Sequence, residues 1–530
     1  MKRWLIILAL ASVIAVPFVL RPKAESISSS DDVLVLITPH NEAIRHEFGL
    51  AFANWYEART GRTVALDWRV IGGTSEIARF LASEYTASFR YHWEKTLGNS
   101  WDFSVQASFA DGRLPDDASA VEKEARAAFL ASNVSCGIDL FFGGGPYDFI
   151  RQALMGQLVK TRVFETHPEW FAPDIIPAEY AGEGYYDPEH RWTGTVLSSY
   201  GMIYNQDVLT LREIEQPPQQ WEDMRDPRLL GSIALTDPTK SGSIAKAFEN
   251  VIQQQMQGEL DVTPDDEARA VRAGWVRGLQ LLQLAAANAR YFTDSSQKPP
   301  IDVAAGNCAL GMCIDFYGRQ QAEAVRRRGD SARVDYVSPP GGSVSSVDPI
   351  GILRGAPSHE VAELFIEFVM SMDGQKIWNF RPGVEGGPQH FALRRLPVRR
   401  DFYREEYKPF RSDPEDEPYA AGEQLIYRAH WTGALFREMS FAIRVMGFDA
   451  HQELVAAWRA INEAGQPAEA MAVLQDMSAI DYDTAQGLIK NVIGSRNKVE
   501  ELQLAKKLGN HFREQYAKAA QIAREHTPSR

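Results

Sequence analysis

Short apolar runs alternate along the first part of the chain with polar or glycine turns and with helical patterns. Residues 33–37 (VLVLI) are continuously apolar and rich in valine and isoleucine, as is typical of a strand buried on both faces of a parallel sheet. The run ends at Thr38 and Pro39, and apolar positions then recur at helical spacing up to residue 60. The order of strand, turn and helix repeats from residue 64 and from residue 137. The pattern therefore predicts an α/β fold with a parallel sheet.

A second set of elements with the same pattern lies in the middle of the chain. A short strand at 231–236 precedes a helix that begins near residue 244, and a further strand is predicted at 309–315. An extended connector then leads to a strand at 347–353 that is similar to those of the first set. Residues 89–119, aromatic and polar without a clean period, are predicted to be an inserted surface segment.

Hydroxyl side chains stand where two of the predicted helices begin. In an open parallel sheet, ligands bind outside the carboxyl ends of the strands, where each following helix presents free N–H groups and the positive end of its dipole. Thr74 and Ser75 follow a glycine pair, and Ser241, Gly242 and Ser243 open a helix of the second set. We expect these residues to donate hydrogen bonds to an oxyanion. The alternative is that the hydroxyls only cap their helices.

The N-terminus predicts export. A basic start at Lys2 and Arg3 precedes the apolar stretch 4–20, as in a signal peptide or a single short membrane anchor. Whether this segment is cleaved or kept as an anchor stays open, because small residues are poorly placed before the candidate cleavage sites. No later apolar run approaches the roughly 20 residues that span a bilayer. We therefore expect a domain in the periplasm or another extracytoplasmic space, in contact with a membrane only through this segment.

Composition narrows the possible partners. The 530 residues include 56 basic and 70 acidic ones, which gives a net charge of -14. Because binding to a nucleic-acid backbone needs a basic surface, a nucleic-acid partner is not expected. Cys136, Cys308 and Cys313 are too few for a disulfide framework and lack the spacing of a zinc site, so we expect free thiols and no structural metal.

Seven short motifs follow one another along the chain: LITPH (36–40), GGTS (72–75), DLFFGGG (139–145), GMIYN (201–205), WEDMRDPR (221–228), DPTKSGS (237–243) and AAG (304–306). Their combination, over roughly residues 33–400, resembles the extracellular solute-binding proteins of family 1. Within that family the chain is similar to the branch that serves iron(III), phosphoglycerate, sugar-phosphate and aminoethylphosphonate transporters. The resemblance implies an exported component of an ATP-driven (ABC) importer, with the permease and a small-molecule ligand as partners.

The resemblance also implies a type II periplasmic binding fold, in which two α/β lobes joined by crossover strands close around the ligand. It divides the chain into a signal peptide or membrane anchor with a linker (1–30), lobe one (31–145 and 346–395), lobe two (146–345) and a helical C-terminal extension packed on lobe two (396–530). This extension is longer than the fold requires. It either stabilises the scaffold or docks a partner such as the permease.

The ligand class is inferred from the family's ferric branch, in which a histidine, an adjacent tyrosine pair and a glutamate hold the metal. His40 stands at the histidine position, but the tyrosine pair is here Phe316 and Tyr317, and glycines occupy the glutamate region. One phenolate and one imidazole hold Fe(III) poorly, so we favour a phosphorylated, phosphonylated or other oxyanionic solute. Iron(III) as the transported ligand, held by His40 and Tyr317, stays the alternative, and no resident cofactor is expected.

The predicted ligand site combines the helix starts with residues at the strand ends. Ser199 and Tyr200 are expected to line the cleft, Asp315 to accept from a ligand amine or hydroxyl, and Tyr317 to stack or donate. For His40 and Asp315 a purely local structural role stays open. The full predicted set is His40, Thr74, Ser75, Gly144, Ser199, Tyr200, Ser241, Gly242, Ser243, Asp315 and Tyr317.

Two function classes other than transport have some support in the sequence. Ser243 and Lys246 have the S-x-x-K spacing of serine acylases, yet the Ser-Asp-Asn and Lys-Thr-Gly partner motifs do not occur in the sequence. Metalloprotease, Walker and nucleophile-elbow motifs do not occur either. We therefore expect a binding protein and not an enzyme. A ligand sensor that reports to a membrane regulator is the further alternative, and an uncleaved anchor would suit it.

Overall fold

The computed structural model describes residues 30–329, 332–421, 425–495 and 497–526. The predicted signal peptide or anchor therefore lies outside the described residues, apart from its last position. Within the described ranges, no helix combines the length and the apolar character that a membrane span needs. The three cysteines are free thiols, as expected from their number and spacing.

The chain up to residue 198 alternates strands and helices as its apolar pattern predicts. Leu34, Leu36 and Leu140 lie on its strands and are fully buried. The elements are β1 Asp32–Ile37, α1 Glu42–Thr60, β2 Val64–Arg69, α2 Thr74–Tyr91, α3 Phe103–Ser108, α4 Ala120–Ala131, β3 Leu140–Phe142, α5 Pro146–Leu154, β4 Leu158–Val159, α6 Val163–Thr166, β5 Glu179–Tyr180, β6 Glu183–Gly184 and β7 Thr193–Ser198.

The chain from residue 200 to residue 337 forms a second set of strands and helices. Its elements are β8 Tyr200–Asn205, α7 Gln206–Thr210, β9 Ile233–Thr236, α8 Gly242–Val262, α9 Glu267–Ala287, β10 Ala289–Thr293, α10 Lys298–Ala304, β11 Leu310–Ile314, α11 Asp315–Arg327 and β12 Val334–Val337.

The remaining chain returns to the first set and then becomes helical. Its elements are β13 Ser346–Leu353, α12 His359–Met370, α13 Met372–Asn379, β14 Leu396–Pro397, α14 Pro418–Ala421, α15 Ala429–Thr432, α16 Phe436–Ile443, α17 His451–Glu463, α18 Ala468–Leu474, α19 Tyr482–Thr484, α20 Lys490–Gly494 and α21 Lys498–Glu525.

Two sheets form the cores of the two lobes, which confirms the predicted α/β class. The first sheet has the order β14-β7-β13-β3-β1-β2, with β4 added on β13. Strands β2, β1 and β3 are parallel, with Leu36 opposite both Trp68 and Leu140. The second sheet has the order β10-β9-β11-β8-β12, in which β10, β9 and β11 are parallel. Because parallel strands end at the same edge of a sheet, the loops that follow them lie together.

The boundary between the lobes differs from the predicted one. We expected lobe two to begin at residue 146, but β4 and β7 both pair with β13 in the first sheet. Residues 146–198 therefore belong with lobe one, and lobe two begins at β8. The resemblance did not reveal this because β4 and β7 are antiparallel additions that interrupt the strand–helix alternation on which the boundary was based.

The segment 89–119 is partly packed into lobe one, so its prediction as an inserted surface segment is wrong for three of its aromatic residues, although Tyr91 and Phe103 are exposed. Phe89, Trp93 and Phe109 are buried, and the rings of Phe89 and Phe109 stack with centroids 4.9 Å apart. The segment showed no clean period because α2 continues to Tyr91 and is followed by a wider helical turn at 92–96.

The C-terminal extension packs on lobe two through α9. The indole of Trp275 donates to the carbonyl of Ile480 at 2.9 Å, and the side chain of Gln283 donates to the hydroxyl of Tyr516 at 3.0 Å. The extension starts from lobe one, since β14 pairs with β7. The chain thus passes between the lobes three times: at residue 199, at 338–345 and after residue 397.

Candidate functional site

A glycine turn after β3 brings two predicted site residues to the same edge of the first sheet. Gly143 and Gly144 have φ angles of 89° and 115°, which glycine adopts without strain. A Cβ atom on Gly143 would lie 2.4 Å from the His40 ring, and one on Gly144 would lie 2.2 Å from Cγ2 of Thr74. The glycines are therefore required for His40 and Thr74 to approach the end of β3.

Thr74 and Ser75 are the first two residues of α2, but neither of them caps it. The N-cap is Gly73, which provides no side-chain hydrogen bond. Thr74 is buried and Ser75 is half-buried. The capping alternative does not describe these two hydroxyls, which lie at the positive end of the helix dipole.

The start of α8 in lobe two faces the start of α2 in lobe one. A Cβ atom on Gly242 would lie 2.6 Å from Oγ1 of Thr74, and one on Gly73 would lie 2.7 Å from the carbonyl oxygen of Lys240. The structure thus brings Thr74 and Gly242 together, as a ligand site between the lobes requires. Beside them Ser241 caps α8, since its Oγ accepts from the backbone N–H of Ile244 at 3.4 Å.

Ser243 is half-buried in the first turn of α8, and Lys246 lies one turn later. The ammonium group of Lys246 lies 2.5 Å from Oε1 of Glu183 and 2.9 Å from Oε2 of Glu249. Burial lowers the pKa of Lys246, but the two carboxylates outweigh burial and hold the pKa well above its ordinary value. A lysine held in its charged form cannot take a proton from Ser243, so Lys246 cannot serve as a catalytic base. Its place one turn after Ser243 is explained by its ion pairs with the two glutamates.

A buried charged cluster lies beside the first sheet. Nη1 of Arg395 lies 2.7 Å from Oδ2 of Asp348 on β13 and 3.4 Å from Nε2 of His40. The guanidinium of Arg395 is fully buried over the ring of Phe316, 4.3 Å from its centroid, and also donates to the hydroxyl of Ser198. His40 is therefore part of a buried network and not an isolated turn histidine.

The charges of this cluster set the protonation of its members. Burial lowers the pKa of His40 and outweighs the opposing effect of Asp348, so the imidazole is neutral at physiological pH. Burial raises the pKa of Asp348, but the positive charge of Arg395 and the hydrogen bond with His40 outweigh it and hold the pKa well below its ordinary value. Asp348 is therefore charged and balances Arg395.

Asp315 and Tyr317 lie at the start of α11, close to this cluster. Asp315 is buried and bonded to the guanidinium of Arg319, so one of its carboxyl oxygens is engaged within its own helix. Burial raises the pKa of both Asp315 and Tyr317. Tyr317 packs on Phe316 with ring centroids 4.1 Å apart. Asp315 thus has a structural role through its pair with Arg319, but it does not cap its helix, whose N-cap is Ile314.

Ser199 and Tyr200 lie at the first crossing between the lobes. The carbonyl of Ser199 accepts from the N–H of Asp315 at 3.0 Å, and the N–H of Tyr200 donates to Oγ of Ser343 at 2.9 Å. Ser199 also lines a cavity of about 640 Å³ that lies at the crossings, together with Tyr336 and the acidic loop 413–417. These contacts place Ser199 and Tyr200 where the chain crosses between the lobes.

Three charged residues near the candidate site escaped the sequence analysis: Asp348 and Arg395 of the buried cluster, and Asp148, whose Oδ2 would lie 3.1 Å from a Cβ atom on Gly242. Asp348 is a charged residue inside the apolar strand run 347–353, and Arg395 lies between leucines at 393 and 396. A charge in an apolar context is the signal that could have found both, because such residues need a buried partner. Among the described residues, no group of three or more His, Cys, Asp and Glu side chains could hold a metal ion.

Comparison with known families shows what the middle of the chain is similar to. Residues 137–383 match the family described as bacterial extracellular solute-binding protein. The two α/β lobes and the crossovers between them agree with the architecture that the resemblance implies. The matched part of the chain is similar to this family, as its motifs suggested, and the family is one of binding proteins.

Individual relatives are distant. An uncharacterised protein of Haemophilus influenzae is 23% identical over 275 residues, which are 47% of this chain and 72% of that protein. Phosphoglycerate transport regulatory protein PgtC of Salmonella typhimurium is 22% identical over 183 residues, 34% of this chain and only 39% of PgtC. The matched part thus spans well under half of PgtC.

Two solved structures are similar over most of their length. The periplasmic binding protein AfuA of Actinobacillus pleuropneumoniae, with fructose-6-phosphate bound, has a TM-score of 0.48 and 16% identity over 82% of this chain and 98% of AfuA. Iron-bound HitA of Pseudomonas aeruginosa has a TM-score of 0.45 and 14% identity over 78% of this chain and 99% of HitA.

Proposed function

We propose that the protein captures a small solute bearing a phosphate or a related oxyanion between its lobes, outside the cytoplasmic membrane, and delivers it to the permease of an ABC importer. The observation that supports this proposal is the meeting of two helix starts at Thr74 and Gly242. The first turn of each helix offers N–H groups without an intrahelical partner. An oxyanion held by one helix start from each lobe would link the lobes, so that binding favours closure.

The surroundings of His40 favour an anion over Fe(III). Nε2 of His40 lies 3.4 Å from Nη1 of Arg395 and 3.5 Å from Oδ2 of Asp348, so the buried ion pair already occupies the surroundings of this ring nitrogen. Burial also raises the pKa of Tyr317, which disfavours the phenolate that iron requires. The name of PgtC makes phosphoglycerates one class to test.

The ligand class is tested on the purified full chain by native mass spectrometry and then by thermal shift with phosphoglycerates, sugar phosphates, phosphonates and ferric salts. We expect phosphorylated or phosphonylated compounds to raise the melting temperature, and Thr74→Val to reduce that rise. Thr86→Val, later on the same helix, is the matched control, because its hydroxyl bonds only the carbonyl of Ala82. Stabilisation by Fe(III) that disappears in Tyr317→Phe would overturn the proposal.

A further inference from the structure

A buried carboxyl group lies among the helix starts of the candidate site. Asp148 is the third residue of α5 and is only 5% exposed. A Cβ atom on Gly242 would lie 3.1 Å from Oδ2 of Asp148 and 2.6 Å from the hydroxyl of Thr74. Asp148 thus lies where α5 and α2 of lobe one meet α8 of lobe two.

Asp148 has no basic partner in direct contact. Among the described residues, no Lys, Arg or His forms an ion pair with it. Arg151, one turn further along α5, is the charged group that acts on it from a distance, and the Thr74 hydroxyl is the polar group beside it. Burial raises the pKa of Asp148 and outweighs both of these influences. The carboxyl group is therefore available to share a proton with a ligand.

An oxyanion at these helix starts would lie next to Asp148, and two fully ionised anions side by side repel each other. A single shared proton removes the repulsion and forms a charge-assisted O–H···O hydrogen bond, which is short and strong. A phosphate monoester or a phosphonate retains an ionisable proton near neutral pH and can take part. A sulfate ester or a sulfonate has no such proton.

We propose that Asp148 makes the site selective for oxyanions that can share a proton, namely phosphate monoesters and phosphonates, against sulfate esters and sulfonates. This inference rests on the proposed oxyanion-binding function and specifies its ligand class. A site built to form a hydrogen bond discriminates strongly against a ligand that lacks the group, because a buried polar group is left unpaired.

The test measures binding of inorganic phosphate, methylphosphonate, sulfate and methanesulfonate to the full chain by isothermal titration calorimetry. For the wild type we expect phosphate and methylphosphonate to bind at least 100-fold more tightly than their sulfur counterparts. In Asp148→Asn the amide can donate to a fully ionised oxyanion, so sulfate binding should tighten and the ratio should fall at least tenfold. Glu76→Gln is the matched control, since Glu76 lies in the first turn of α2 but pairs with Arg79 at the surface.

The outcomes separate this inference from the function on which it rests. Equal binding of phosphate and sulfate by the wild type, or an unchanged ratio in Asp148→Asn, overturns the role of Asp148 alone. Binding of neither anion class by either protein overturns the oxyanion function itself. If Asp148→Asn does not fold, the wild-type ratio still decides, together with pH: sulfate binding should strengthen as Asp148 becomes protonated on acidification, and its absence contradicts the proposal.

Discussion

Arg395 and Asp348 form an ion pair inside the protein, with Nη1 of Arg395 2.7 Å from Oδ2 of Asp348 and the arginine side chain fully buried. Removing one partner of a buried pair leaves the other charge without compensation, which typically costs about 3–5 kcal/mol. We therefore expect Arg395→Met to lower the free energy of unfolding by about that amount in urea denaturation. The double variant Arg395→Met with Asp348→Asn should regain part of the loss. A double variant no more stable than the single one would show that the pair is not coupled.

The same aspartate should contribute to acid denaturation. Its folded-state pKa is held below the ordinary value of about 3.9, so its contribution to stability is fully present above that value and is lost as the pH falls toward the folded pKa. We expect the free energy of unfolding of the wild type to fall between pH 4 and pH 2 more steeply than that of Asp348→Asn. Parallel slopes in the two proteins would contradict the assignment.

The approach of Gly242 to Thr74 should limit what position 242 tolerates. A methyl group there would lie 2.6 Å from the Thr74 hydroxyl across the lobe boundary, so Gly242→Ala should hinder closure. We expect at least a tenfold loss of phosphate affinity in calorimetry and a larger radius of gyration in small-angle X-ray scattering. Gly258→Ala on the same helix, where no atom lies within 4 Å of the new methyl group, should leave both unchanged.

The two carboxylates that hold Lys246 should differ in effect, because only one of them belongs to the other lobe. Glu183 lies on β6, in the part of the chain that belongs with lobe one, whereas Glu249 lies on α8 beside Lys246. We expect Glu183→Gln to shift the lobes toward an open arrangement, as measured by the distance between fluorescent labels on the two lobes. Glu249→Gln should change stability without that shift. Equal shifts in the two variants would rule out a specific role for the pair between lobes.

The extension should influence opening through Phe436. Its ring stacks on Tyr147 of lobe one with centroids 4.4 Å apart, whereas later parts of the extension contact Trp275 and Gln283 of lobe two. Phe436→Ala should therefore increase the rate of ligand exchange in stopped-flow measurements. Phe448→Ala is the control, since Phe448 of the extension stacks on Phe292 of lobe two with centroids 3.7 Å apart. It should lower stability and leave exchange unchanged, and a faster exchange in both variants would argue for a general loosening.

The sequence predicted the parts of the protein that depend on local pattern. The strand–turn–helix order and the helix starts at Thr74 and Gly242 could be read from apolar runs and glycine turns. Arg395 could not be assigned to the site, because it is distant in sequence from His40 and Asp348 and only tertiary packing joins them. The place of β7 in the first sheet was missed for the same reason, since its partners β13 and β14 lie about 150 and 200 residues later in the chain. Long-range pairing leaves no periodic signal in the residues that take part.

The third passage of the chain between the lobes changes the mechanics of the hinge. Two bodies joined by two neighbouring strands can bend toward each other and can also twist about the line of the strands. A further connection, leaving β14 on one lobe and ending in helices on the other, resists the twist but still permits bending. Opening should then follow a single path. The helix starts at Thr74 and Gly242 would therefore return to the same relative position each time the lobes close.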